Sequence, residues 1–159
     1  MNIWFKDIKK NLLFEIEEEN EEEFCDNYEE PRNLINLDVV YCDGGGFNGT
    51  FSKAAFGEDL GKMGLLTTPK DMTNNEMEYI GLINAMLISK PETLILSDSK
   101  LIVNQVNQKW KCNHEHLMGL RGTAITLKHA KKLELEWIPR EKNLAGIKLE
   151  KIKLEKVKK

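Results

Sequence analysis

Val39-Val40-Tyr41-Cys42-Asp43-Gly44-Gly45-Gly46-Phe47-Asn48-Gly49 is the stretch on which the fold turns. At a period of two, Leu37, Val39 and Tyr41 share one face, and Val40 and Cys42 share the other. Both faces are apolar, so the segment reads as a strand that can be buried on both sides. Asp43 ends the apolar run, and the glycines after it permit positive φ and read as a turn.

Downstream, Phe51–Phe56 and Met63–Thr68 are strand-like, and with the first strand they predict an antiparallel meander. Met77, Ile80, Ile83 and Leu87 recur at spacings of three and four, predicting a helix over 75–89 that Thr73-Asn74 can cap. Thr93–Ser97 is a short apolar strand ending at Asp98, and Lys100–Asn107 a short helix. Leu117, Leu120, Ala124 and Leu127 mark another helix. Leu133, Leu135 and Trp137 alternate with Glu134 and Glu136, as in a strand covered on one face and stopped by Pro139. Ile147–Lys151 is repeated at once by Ile152–Lys156, and is read as a closing helix. Three strands, helix, strand, helices, strand, helix is the order of a mixed sheet in an α/β arrangement.

Upstream of Leu34 the chain changes character. Residues 1–38 carry 12 acidic and 4 basic side chains, whereas residues 39–159 carry 14 acidic and 19 basic. The dense run Glu15–Glu30 favours a solvated segment over a packed one, and Pro31 punctuates its end. The expected division is an acidic extension over 1–32 and one α/β domain over 33–159, a length that holds one core and not two. No apolar run is long enough to span a bilayer, and the N-terminus lacks the layout of a signal peptide. Cys25, Cys42 and Cys112 are odd in number and far apart, so they read as free thiols of a reducing, cytoplasmic protein. The mildly basic body is compatible with a phosphate-rich partner.

Three acids fit a purely structural role poorly. Asp43 follows a buried strand, Glu78 lies in an otherwise apolar-faced helix, and Asp98 ends a short apolar strand. Taken singly, each has a plain reading: turn residue, solvated helix face, N-cap. Taken together, carboxylates at the carboxyl ends of neighbouring strands converge at the rim where α/β folds place their sites. Their mutual repulsion calls for a cation, and oxygen-only ligands suit Mg²⁺ or Mn²⁺. His114-Glu115-His116 has no partner at zinc spacing and reads as a solvated helix start.

Val39-Val40-Tyr41-Cys42-Asp43-Gly44-Gly45, Thr73-Asn74-Asn75-Glu76-Met77-Glu78-Tyr79, Leu96-Ser97-Asp98-Ser99 and Trp137-Ile138-Pro139-Arg140-Glu141-Lys142-Asn143 resemble the four successive signatures of type 1 ribonuclease H. The resemblance runs in order over residues 37–145 and implies a five-stranded mixed sheet with flanking helices. It implies an endoribonuclease that hydrolyses the RNA strand of an RNA–DNA hybrid by two-metal catalysis, with ions about 3.5–4 Å apart. Asp43, Glu78 and Asp98 would be the catalytic metal ligands, Asp43 bridging and the others holding one ion each. The resemblance selects Glu78 over Glu76; residues two apart on a helix point about 200° from each other, so both cannot face the site. Asn74 and Asn75 would read 2′-hydroxyls and base edges, and the backbones of Gly44 and Gly45 would approach the nucleic acid. Lys109-Trp110-Lys111 and Arg121 would be placed to meet phosphates; larger members insert a basic helical protrusion hereabouts, and this chain shows only that short piece.

The sequence departs from the family at the start of the last helix. Where a fourth aspartate is expected the chain reads Leu144-Ala145-Gly146-Ile147, with Gly146 or Ile147 at its place and Glu150 about one turn on as the substitute acid. Two alternatives therefore stand beside the enzyme: a catalytically weakened nucleic-acid-binding module, and a DNA-acting nuclease of the same superfamily.

Overall fold

The computed structural model describes residues 38–157. The acidic extension and its boundary, Leu37 and Cys25 lie outside the described residues. Five strands, β1 (Val39–Gly45), β2 (Ser52–Gly57), β3 (Met63–Thr68), β4 (Leu94–Ser97) and β5 (Glu134–Trp137), form one sheet in the order β3-β2-β1-β4-β5. The first three pair antiparallel, and β4 and β5 run parallel to β1. Four helices flank them: α1 (Asn74–Ile88), α2 (Lys100–Val106), α3 (Glu115–Lys131) and α4 (Leu144–Val157). The mixed sheet expected from the sequence is the one observed. No helix among the described residues is long and apolar enough to cross a membrane.

The two apolar faces of β1 are buried by different layers. Val40 and Cys42 pack with Phe56, Ile95 and Leu135 of neighbouring strands against α1, α2 and α3. Val39 and Tyr41 pack with Ala55, Leu94 and Leu96 against Ala145 and Leu149 of α4. β1 is therefore central, and anything at its end is held by both layers.

β1 does not stop at Asp43. It runs on through Gly44 and Gly45, which pair with Ala54 and Lys53 of β2. The first two residues of the expected Gly44–Gly49 turn are thus strand, because β2 supplies the backbone partners and α1 comes too close to Gly44 for a side chain; Gly46–Gly49 lie outside the strand, with Gly49 at positive φ. A Cβ on Gly44 would lie 2.2 Å from the Met77 carbonyl carbon, and one on Gly81 2.5 Å from the Asp43 carbonyl oxygen. Two facing glycines let helix and strand backbones touch.

The start of α1 separates its two acids. Thr73 Oγ1 accepts from the Glu76 N–H at 3.2 Å, and Glu76 Oε1 accepts from the Thr73 N–H at 3.1 Å. This reciprocal cap occupies Glu76, leaving Glu78 to face elsewhere.

Candidate active site

Asp43, Glu78 and Asp98 reach the carboxyl rim from β1, α1 and the end of β4. Each offers a carboxylate oxygen, and these atoms lie within 4.8 Å of one another. Of the described residues, these three form the only group of three or more His, Cys, Asp or Glu side chains close enough to hold an ion together. Asp98 Oδ2 is buried with no hydrogen-bond partner. Such an orphaned acceptor is costly without a donor or cation, so the donor set fits a hard divalent ion such as Mg²⁺ or Mn²⁺. The histidines at the start of α3 do not line the cleft over these acids; the His114 and His116 rings lie tilted at 54° to each other with centroids 5.6 Å apart.

Burial pushes the Asp43 carboxyl up to about 7, and the Asp98 charge beside it adds to the effect. Burial, then Asp43 and Asp98, push Glu78 up to about 7 as well. Burial also raises Asp98, opposed by its hydrogen bond with Asn143. The folded protein therefore holds protons between about pH 4 and pH 7 that the unfolded chain has released. Stability associated with these groups is full at the acid end of that window and is lost as pH rises through 7. We expect the metal-free melting temperature to fall from pH 5 to pH 8 in chelating buffer, and Mg²⁺ or Mn²⁺ to raise it most at pH 8. Thermal denaturation across that range checks both; a flat profile would mean that the carboxylates are not held together.

A cleft opens over the three acids, lined also by Gly44, Gly45, Asn74, Lys53, Arg140 and Glu150. Asn74 is exposed at its edge, where its Oδ1 accepts from the Gly46 N–H at 2.7 Å. Asn75 is half-buried and does not line the cleft. Trp137 anchors the Asp98 segment, its Nε1 donating to the Asp98 carbonyl at 3.0 Å, and Lys100 stands 4.7 Å over the indole. Asn143, fully buried, donates to the Cys42 carbonyl at 2.9 Å and accepts from the Ala145 N–H at 3.1 Å, tying the start of α4 to β1. Cys42 is a buried core thiol whose Sγ meets the Leu96 carbonyl. Trp110 is an exposed surface residue, and Arg121 donates to the Gln105 carbonyl at 2.9 Å.

At the place of the expected fourth acid, Gly146 faces the carboxylates. A Cβ there would lie 3.0 Å from Asp43 Oδ2 and 3.6 Å from Asp98 Oδ2. Glu150 lines the cleft but stays outside the close carboxylate group, its half-exposed side chain 3.9 Å from Arg140 Nη2.

Two cationic residues of the cleft had no role in the sequence reading. Arg140 lies near enough to oppose the upward shifts of Asp43, Glu78 and Asp98 together. Its signal was its place within the Pro139-Arg140-Glu141 signature. Lys53 is buried on a central strand, and its signal was a lysine at the position between Phe51 and Ala55 on one face of β2.

The strand order and the acid cluster define a mixed α/β domain with a candidate metal site at one rim of its sheet. The RNase H family matches residues 36–149, and the chain belongs to that family. A bifunctional protein of Mycobacterium tuberculosis is 38% identical over 76 residues, covering 45% of this chain and 21% of that protein. An uncharacterized protein of Mycobacterium bovis matches with the same figures, so the similarity spans about a fifth of the length of these curated relatives. Among solved structures, the N-terminal RNase H domain of the M. tuberculosis protein, fused to maltose-binding protein, superposes with a TM-score of 0.58 at 27% identity. The match covers 74% of this chain and 96% of that one. RNase H1 of the archaeon Halobacterium salinarum also gives 0.58, at 23% identity over 71% of this chain and 97% of that one, a likeness of fold. An RNase H1 solved in complex with an RNA/DNA hybrid gives 0.51 at 24% identity, over 66% and 87%, again a likeness of fold.

Proposed function

We propose that this protein is an endoribonuclease that hydrolyses the RNA strand of RNA–DNA hybrids with the help of Mg²⁺ or Mn²⁺. The observation that carries this reading is the group of three carboxylate oxygens within 4.8 Å at the rim of an RNase H fold. Asp43, Glu78 and Asp98 are the proposed catalytic ligands. A divalent ion bound there supplies an activated water and charge neutralisation at the phosphate.

The other residues bind and orient. Asn74, with its carbonyl oxygen on Gly46, has its amide nitrogen to offer to a minor-groove hydroxyl. Asn75 is assigned the adjoining groove contact, and the backbone of Gly44 and Gly45, which lines the cleft, is assigned the close approach to the nucleic acid. Arg140 is proposed to meet a phosphate oxygen at the mouth, with Glu150 as its ion-pair partner in place of a fourth-ligand role.

Gly146 favours a second reading, a module that binds hybrid without cutting it, because the acid expected there is absent. A DNA-acting nuclease is the third. Labelled RNA–DNA hybrid, duplex DNA and duplex RNA, each incubated with Mg²⁺ or Mn²⁺, separate them. The expected result is cleavage of hybrid alone. Intact hybrid with metal still bound would establish the module, and cut duplex DNA the third reading.

A further inference from the structure

We propose, on the footing of the hybrid-cleaving reading above, that the strip running from Trp137 along α2 to Trp110 binds unpaired nucleotides flanking a hybrid, with the Trp110 indole as the surface on which a base stacks. The strip begins at the acid cluster and is continuous. Trp137 Nε1 donates to the Asp98 carbonyl at 3.0 Å, and Lys100 Nζ stands 4.7 Å over the same indole. One turn on, Asn104 Nδ2 donates to the Lys100 carbonyl at 2.7 Å. The Asn104 carbonyl in turn accepts from the Lys109 and Trp110 N–H groups at 2.8 and 3.1 Å. α2 is seven residues, about 10 Å long, a span of about three nucleotides at helical rise.

The charge of the strip suits phosphates. From Ser99 to His114 the chain carries Lys100, Lys109 and Lys111 and no acid; the first one is Glu115, on α3. All three lysines are exposed. Trp110 stands between two of them and is itself 48% exposed.

The segment that carries Trp110 is held from several sides. Gln108 takes a φ of 61°, in the region that favours glycine, and its N–H donates to the Gln105 carbonyl at 3.1 Å. Gln105 is buried: its Oε1 accepts from the Tyr79 hydroxyl at 2.6 Å, and its Nε2 donates to the Lys111 carbonyl at 3.5 Å. A non-glycine residue persists at positive φ where its surroundings impose it, and here they leave a large aromatic side chain in water. A ring fixed in advance loses little freedom on binding.

The indole decides between paired and unpaired partners. In a duplex each base face is covered by its neighbours in the stack, and a protein meets sugars, phosphates and groove edges. A single strand offers its base faces to an aromatic ring, whatever the base. Lysines alone would serve a duplex; a tryptophan between them calls for unpaired nucleotides.

Oligothymidylate, which holds no RNA to cut, tests this by binding alone. Fluorescence anisotropy with the full chain should show saturable binding that Trp110→Ala weakens about 10-fold, the size of one base-stacking contact. Trp110→Phe keeps a smaller ring and should lose less, which separates lost stacking from a disturbed fold. A hybrid with a single-stranded tail should show a KM about 10-fold below that of the blunt hybrid, and Trp110→Ala should abolish the difference. Tails placed on the DNA strand or on the RNA strand report which of them follows the strip. Equal KM for tailed and blunt hybrids, or wild-type oligothymidylate binding by Trp110→Ala, overturns this inference and leaves the hybrid-cleaving reading standing. Trp110-dependent oligothymidylate binding by a chain that cuts no hybrid keeps the strip as a single-strand site and overturns that reading instead.

Discussion

Asp43→Asn should lower hybrid cleavage by at least about 10³-fold, about 4 kcal/mol of transition-state stabilisation, because it removes the ligand at the centre of the group. Asparagine keeps the volume and shape of the side chain, so packing against Gly146 survives and only charge is lost. Metal-free stability should move the other way. The wild-type carboxyl, pushed up to about 7, is ionised at pH 8 against burial and against Asp98, and the neutral amide is spared that cost. We expect Asp43→Asn to be more stable than wild type in chelating buffer at pH 8, by roughly 2–3 kcal/mol, and to lose most of the Mn²⁺-induced rise in melting temperature. Glu76→Gln is the control two residues from a ligand. Its carboxylate caps α1, so it should cost under about 1 kcal/mol and leave cleavage unchanged. An Asp43→Asn protein that still cuts at more than a tenth of the wild-type rate would remove Asp43 from the chemistry.

Gly44→Ala should damage stability and site together. One methyl group placed 2.2 Å from the Met77 carbonyl carbon cannot be accommodated by a side-chain rotation, since what it meets is helix backbone. α1 must move off β1, and Glu78, the residue after Met77, moves with it. Overpacking of this kind typically costs about 1–3 kcal/mol, and we place this variant at the upper end because the obstacle is rigid. Gly81→Ala meets the Asp43 carbonyl at 2.5 Å from the helix side and should behave alike. Gly119 on α3 faces open space, so Gly119→Ala should stabilise by about 0.5–1 kcal/mol through helix propensity. Denaturant unfolding with parallel Mn²⁺ titration measures both quantities. Gly44→Ala with wild-type stability and metal affinity would show that the close approach of helix and strand is not needed.

The periodicities were enough for the architecture. Alternation in β1 identified two buried faces, and the spacing of Met77, Ile80 and Ile83 located α1 to within a residue at each end. Patterns of this sort are local, and local backbone geometry obeys them. The extension of β1 through Gly44 and Gly45 was not legible, because glycine is permissive alone and takes the conformation that a partner strand imposes.

The three acids could be named from the sequence as a set; their convergence on one rim is a property of the folded chain. The choice of Glu78 over Glu76 was already made from the family resemblance; the folded chain adds the reciprocal cap that occupies Glu76. The cationic half of the cleft belongs to tertiary structure altogether. Lys53 and Arg140 lie 87 positions apart in the chain and enter one cleft only after β2 and the segment following β5 are in place. A residue's own pattern records which way it faces, whereas the charge it confronts depends on contacts between segments distant in sequence, and only packing brings those together.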